Sequence, residues 1–169
     1  TRAKKDGFAD RYLAKLLGSY ATLGLAEDTW ALNERVLEDE AFLSQCWLIH
    51  EERERMFFDA LEKTRRGLCV CVFDIADRLQ HMFYRYEDDG HPALTGADAV
   101  AHSHVIDQLY QSMDDLVGRV LERLGEKGVL IVMSDHGFAS FRRGVNLNSW
   151  LGRNGYLGLK KGEAGGEWF

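Results

Sequence analysis

The stretch Val129-Leu130-Ile131-Val132-Met133-Ser134-Asp135-His136-Gly137-Phe138 decides the predicted fold. Its apolar run is short and rich in branched residues, which favours a buried strand over a helix. Gly137 lets the backbone turn directly after the polar residues. Asp135 and His136 are therefore predicted at the carboxyl end of a strand, where open α/β sheets hold their ligands. Their oxygen and nitrogen donors suit a divalent transition metal. A capping Asp beside a solvent-exposed His is the alternative, and the motif alone leaves both open.

A second apolar run, residues 68–73, is also predicted to be a buried strand. Asp77 and His81 follow it, four residues apart. On a helix they would share one face and could bind one ion. An isolated pair of this kind is more often a helix-start Asp and an ordinary His. Because both Asp/His pairs follow a predicted buried strand, a metal site becomes the favoured interpretation.

Between these runs lies the clearest predicted helix, residues 98–124, with a continuous apolar stripe. Strand, helix and strand form a βαβ unit, whose crossover is nearly always right-handed and brings both strand ends to one edge. The sequence thus predicts an α/β fold with a mostly parallel sheet sandwiched by helices. We expect residues 1–67 to be a mainly helical segment and residues 68–169 to be part of the α/β metal-binding domain.

Local signals predict further helices. Gly18 is a plausible stop for a first helix, and Asp28 can cap a short second one. Asp39 can cap a long helix that reaches about residue 65, in which His50 is expected at the surface. An Asn-capped short helix is predicted within residues 145–151.

Composition limits the class of protein. The 169 residues carry a net charge of −6 without a basic tract, so we expect no nucleic-acid polymer as partner. No apolar run approaches the ~20 residues that cross a bilayer. Three cysteines without framework spacing argue against a disulfide scaffold, and a reducing, cytoplasmic location is expected. Nothing in the sequence indicates the oligomeric state.

The two ends of the sequence suggest a piece of a longer protein. The chain starts at Thr1 without an initiator Met and stops in a loop-like, glycine-rich stretch. Arg142 and Arg143, close after Phe138, add positive charge that could meet a substrate phosphate or lie in solvent.

The order of the motifs resembles a known family. Asp77 and His81 as D-x-x-x-H, then S-D-H-G at residues 134–137, then residues 145–151 and 155–157, are similar to the alkaline phosphatase superfamily. The type I phosphodiesterase/nucleotide pyrophosphatase branch is the closest match. The resemblance implies an alkaline-phosphatase-like sheet, of which this chain would hold an incomplete part.

The resemblance also implies roles. Asp77 and His81 would be two ligands of one divalent ion, and Asp135 and His136 would be ligands of a second. Zinc is the expected metal and manganese the other candidate. In the family the ions lie ~4 Å apart and assist attack on a small phosphorylated substrate, a phosphate ester or a nucleotide-type diester.

Some family features are missing from this sequence. The Ser or Thr nucleophile and an accompanying Asp ligand would lie upstream, and the third His of the first ion would lie downstream of His136. We therefore expect this piece alone to be inactive and to bind metal weakly. Two alternatives stay open at this point: a non-catalytic α/β binding module, and a phosphoglycerate-mutase-like or sulfatase-like member of the same superfamily.

Overall fold

The computed structural model describes residues 9–21, 26–94, 101–158 and 160. The chain divides into two compact units, residues 1–139 and residues 140–169. The domain boundary predicted after residue 67 stays a prediction. None of the described helices combines the length and apolarity that a bilayer span requires.

Helices make up the regular structure of the described residues. In the first unit they are α1 (Ala9–Leu17), α2 (Thr29–Asn33), α3 (Asp39–Lys63), α4 (Ile75–Phe83), a 3₁₀ turn (Tyr84–Glu87), α5 (Val105–Leu124) and a second 3₁₀ turn (Gly125–Lys127). In the second unit α6 spans Leu147–Arg153.

Several helix ends confirm the local predictions. Gly18 follows α1 with a φ of 79°, in the left-handed region that glycine adopts without strain. Asp28 caps α2, since its Oδ1 accepts a hydrogen bond of 2.9 Å from the Ala31 amide. Asn146 caps α6 in the same way, accepting from the Ser149 amide at 2.9 Å. These ends depend on contacts within a few residues, which is why the sequence reveals them.

The predicted Asp39 cap is wrong. Asp39 is the first residue of α3, and the helix makes no side-chain capping bond. The Asp39 carboxylate instead accepts hydrogen bonds from the Tyr86 hydroxyl at 2.6 Å and from Arg85 Nη2 at 3.1 Å. Asp39 thus forms tertiary hydrogen bonds with Tyr86 and Arg85 instead of capping its own helix.

The core lies where α3, α4 and α5 pack together. Its fully buried side chains are Phe42, Cys46, Leu79, Phe83 and Leu109. Burying a Leu or Phe side chain stabilises a fold by roughly 1.5–3 kcal/mol, so this cluster is a large part of what holds the three helices. The apolar stripe predicted for the helix over residues 98–124 is confirmed over Val105–Leu124. Residues 102–104 form a turn, so the predicted helix is wrong there, and its predicted start at residues 98–100 lies outside the described residues.

The predicted parallel sheet is wrong for this structure. The described residues contain no β-strand, and the predicted strands 68–73 and 129–133 are extended segments. Nor are they buried, since Leu68 and Val129 are each 84% exposed and Met133 is 86% exposed. A strand needs a neighbour with which it exchanges backbone hydrogen bonds, and the described part supplies none for either segment. The predicted βαβ unit is therefore absent too.

An arginine holds the first extended segment to α3. Arg53 Nη1 donates a 3.0 Å hydrogen bond to the Val72 carbonyl and also pairs with the Asp74 carboxylate. Phe73 packs edge-on against Phe57, with ring centroids 5.6 Å apart. These contacts fix the residues that lead into α4.

His50 corrects a further expectation. It lies in α3 but is only 3% exposed, not at the surface, and its ring packs edge-on against Trp47 and Phe73. His50 Nε2 lies 3.0 Å from Glu54 Oε1, although neither ring nitrogen has a partner in hydrogen-bonding geometry. The contact is close enough for an electrostatic interaction, and the guanidinium charges of Arg119 and Arg53 also act on this ring.

Candidate metal centre

Asp77 and His81 lie one turn apart on α4, as the spacing predicts. Asp77 Oδ1 lies 3.3 Å from His81 Nε2. Two ligands bound to zinc at about 2.0–2.1 Å in a tetrahedral arrangement are themselves about 3.3–3.4 Å apart. This pair therefore has the separation that a shared ion would require.

His136, in the S-D-H-G motif, also lies close to the Asp77 carboxylate. Its Nε2 lies 3.8 Å from Asp77 Oδ1 and 3.6 Å from Asp135 Oδ2. The two motifs are thus neighbours, as the sequence analysis expected. They meet without the predicted sheet, because the extended segment after α5 passes beside α4.

Asp135 stands at the outer edge of the group. Its side chain is 87% exposed, and its Oδ1 accepts a 3.1 Å hydrogen bond from the His136 amide. Ser134 Oγ donates to the His136 carbonyl at 2.5 Å. These two bonds shape the turn that carries His136 toward α4.

The four side chains do not close around an ion site in this structure. Among the residues described, no group of three or more His, Cys, Asp or Glu side chains encloses a point where an ion could bind. The Asp77–His81 separation suits two ligands of one ion. His136 Nε2, at 3.8 Å from Asp77 Oδ1, lies slightly farther away than another ligand of that ion would, which explains why three side chains do not enclose an ion. The donor types and the Asp77–His81 separation fit a divalent ion, and the shell around it is open.

Aromatic rings pack against both imidazoles. Phe138 meets the His81 ring edge-on at 4.9 Å and the His136 ring at 5.3 Å between centroids. Tyr84 stacks on Phe138 at 6.4 Å. The sequence analysis missed these contacts, although Phe138 directly follows the S-D-H-G motif and Tyr84 lies three residues after His81. The packing restricts the orientations that the two imidazoles can adopt.

Asp77 also has a partner on its other oxygen. Arg78 Nη1 lies 2.6 Å from Asp77 Oδ2, and Arg78 Nε lies 3.7 Å from Glu27 Oε2. Glu27 is only 5% exposed. No sequence pattern links Glu27 to Arg78, because their ion pair joins α4 to a residue just before α2, far away in sequence.

No described cysteine belongs to a group of three or more side chains that could hold a metal ion. Burial raises the pKa of the Cys46 thiol to about 12, with the charge of Glu27 acting in the same direction. A thiol with such a pKa is protonated at neutral pH, and metals bind the thiolate. Burial likewise raises the pKa of Cys71.

Arg142 and Arg143 belong to the second unit and are exposed. Their role in binding substrate stays a prediction.

A surface depression of about 360 Å³ lies away from the Asp/His group, between α1, α3 and α5. Arg119, Arg123 and Glu54 contribute opposite charges to its walls, and Phe58 contributes an apolar surface. None of its lining residues is a candidate metal ligand, so we assign it no part in the site.

Comparison with known proteins gives one match. The family model described as type I phosphodiesterase / nucleotide pyrophosphatase matches residues 6–167. No curated protein and no solved structure matches the chain. The matched range includes all four predicted metal ligands.

Proposed function

The chain belongs to the type I phosphodiesterase / nucleotide pyrophosphatase family, and on that premise we propose that Asp77, His81, Asp135 and His136 bind divalent metal for the hydrolysis of a phosphate ester or nucleotide-type diester. The family indicates a hydrolase acting on phosphodiester bonds, and its members generally depend on divalent metal ions. The observation that supports the proposal most is the approach of two imidazoles to one oxygen, Asp77 Oδ1.

Charge supports a metal at this place. Asp77 and Asp135 are both carboxylates, and a phosphate ester is also an anion. Two like charges a few ångströms apart repel, so these carboxylates would disfavour the substrate unless a cation lay between them. A bound divalent ion would neutralise and polarise a phosphoryl oxygen.

We assign Asp77 and His81 to one ion and Asp135 and His136 to a second. The 3.8 Å contact between Asp77 and His136 would then lie where the two ion sites adjoin. Zinc suits a mixed imidazole and carboxylate set, and manganese is the other candidate. The exposure of His81, at 53%, leaves the centre accessible to a small substrate.

Metal content tests the proposal. Zinc or manganese is titrated into the protein by equilibrium dialysis, and the ion bound at each free concentration is measured by elemental analysis, so that weak binding is also detected. We expect bound metal in the parent protein and little in Asp77→Asn or His81→Gln. His104→Gln, which replaces an exposed His in the turn before α5, is the matched control and should keep its metal.

Activity provides a second readout in the protein that contains this chain. With bis(p-nitrophenyl) phosphate as a generic diester, loss of a metal ligand should lower kcat/KM by at least about 100-fold, more than the loss of a residue that only orients a ligand typically does. Equal metal content in the parent, Asp77→Asn and His81→Gln proteins, together with equal turnover, would exclude this site.

A further inference from the structure

The two oxygens of the Asp77 carboxylate have different neighbours. Oδ1 faces the imidazoles of His81 and His136, at 3.3 and 3.8 Å. Oδ2 faces Arg78 Nη1 at 2.6 Å. One oxygen is thus directed to the candidate metal centre while the other is held by a cation.

Arg78 in turn forms an ion pair with the buried Glu27. The Arg78 side chain is 18% exposed, and the Glu27 side chain, 3.7 Å from its Nε, is 3% exposed. That distance is an ion pair rather than a hydrogen bond, and Arg78 Nε has no hydrogen-bond partner within the described part of the chain. Burying either charge alone would be costly, so each favours the buried position of the other.

We propose that Glu27 and Arg78 form a brace that fixes the orientation of the Asp77 carboxylate, which makes Arg78 a positioning residue for the metal centre. This inference rests on the proposed function. A planar guanidinium that holds Oδ2 opposes rotation of the carboxylate, so Oδ1 stays directed at the imidazoles. Partners that orient a metal ligand typically change metal affinity 10–100-fold when they are removed.

Two other roles for Arg78 make different predictions. Arg78 could compete with the metal for Asp77, in which case its removal would tighten metal binding. It could also serve only to stabilise the fold, in which case metal affinity would follow stability in any variant that weakens the fold equally.

The test compares Arg78→Gln, Arg78→Lys and Glu27→Gln with Arg119→Gln. Arg119 is the matched control because it is also partly buried, at 42% exposure, and pairs with a carboxylate, Glu54, that is not a candidate ligand and lies on another helix than Asp77. For each protein, the Kd for zinc is measured by competition with a chromophoric chelator. The Tm is measured without metal.

We expect Arg78→Gln to weaken zinc binding by about 10–100-fold. Arg78→Lys should restore part of that loss, because a lysine keeps the charge but not the planar contact. Glu27→Gln should weaken zinc binding by a smaller factor. Arg119→Gln should lower the Tm and leave the Kd within about 2-fold of the parent value, since its partner Glu54 lies on α3 and not on α4.

Three results would overturn the brace. They are a parent-like Kd in Arg78→Gln and Glu27→Gln, a tighter Kd in either, or an equal loss in Arg119→Gln. If Arg78→Gln does not fold, Glu27→Gln and Arg78→Lys decide the question. Zinc binding that is lost in Asp77→Asn but unchanged in the brace variants would refute the brace alone. A parent protein that binds no zinc would refute the proposed function and the brace together.

Discussion

His136 Nε2 lies 3.8 Å from Asp77 Oδ1. This contact joins the S-D-H-G motif that follows residues 129–133 to a residue in the first turn of α4. Neither residue is near the other in sequence, so the contact is a property of the fold. It makes the two predicted ligand pairs parts of one group. A substitution in one ligand pair should therefore change the metal binding of the other pair.

This contact predicts coupling between the two motifs. His81→Ala and His136→Ala should each weaken zinc binding, and the double variant should lose less than the product of the two single losses. Residues that act on one centre are non-additive, whereas residues more than about 7–10 Å apart add. The measurement is the zinc Kd of the parent, the two single variants and the double variant. Strict additivity would place the two histidines in independent sites.

The core predicts a difference between two leucines of α5. Leu109 is fully buried, whereas Leu121 on the same helix is 53% exposed. Leu109→Ala should lower the free energy of unfolding by about 2–5 kcal/mol, because it leaves a cavity beside α4. Leu121→Ala should lower it by less than about 1 kcal/mol. Urea denaturation of both variants measures the difference, and similar losses would show that Leu109 is not a core residue.

The helices that the sequence predicted are those with local signals. Asp28 and Asn146 cap α2 and α6 through amides three residues away, and the apolar stripe of α5 is visible in its spacing. The Asp77–His81 pair could be predicted for the same reason, since only one helical turn separates its members.

The features that could not be predicted depend on partners far along the chain. An apolar run such as residues 129–133 indicates that a segment suits a β-strand. It does not indicate whether another strand lies beside that segment. The ion pairs Arg78–Glu27 and Asp39–Arg85 form only after the helices have packed. His50 has a charged run on its C-terminal side, yet its own ring faces Trp47.

Burial predicts that Cys46 is chemically inert in the folded protein. Its side chain is fully buried and its pKa is raised to about 12, so at about pH 8 roughly one thiol in 10⁴ is ionised. Iodoacetamide should modify the half-buried Cys69 well before Cys46, which should react only in denaturant. Peptide mass spectrometry after timed labelling gives both rates. Equal rates for Cys46 and Cys69 without denaturant would contradict the burial of Cys46.

The buried position of His50 predicts how stability depends on pH. Burial lowers the pKa of His50 from its ordinary value of 6.5, although Glu54 acts in the opposite direction. The unfolded chain therefore takes up a proton at a higher pH than the folded chain does. The contribution of His50 to stability is fully present above about pH 6.5 and is lost as the pH falls from there toward the folded-state pKa.

A histidine replacement isolates this effect. In His50→Gln the free energy of unfolding should fall less steeply between about pH 7 and pH 5 than in the parent, where one such group adds a slope of up to about 1.4 kcal/mol per pH unit. His104→Gln removes an exposed histidine and should keep the parent slope. Urea denaturation at several pH values compares the slopes, so a change in absolute stability of His50→Gln does not obscure the result. An unchanged slope in His50→Gln would mean that the folded protein protonates His50 as readily as the unfolded chain does.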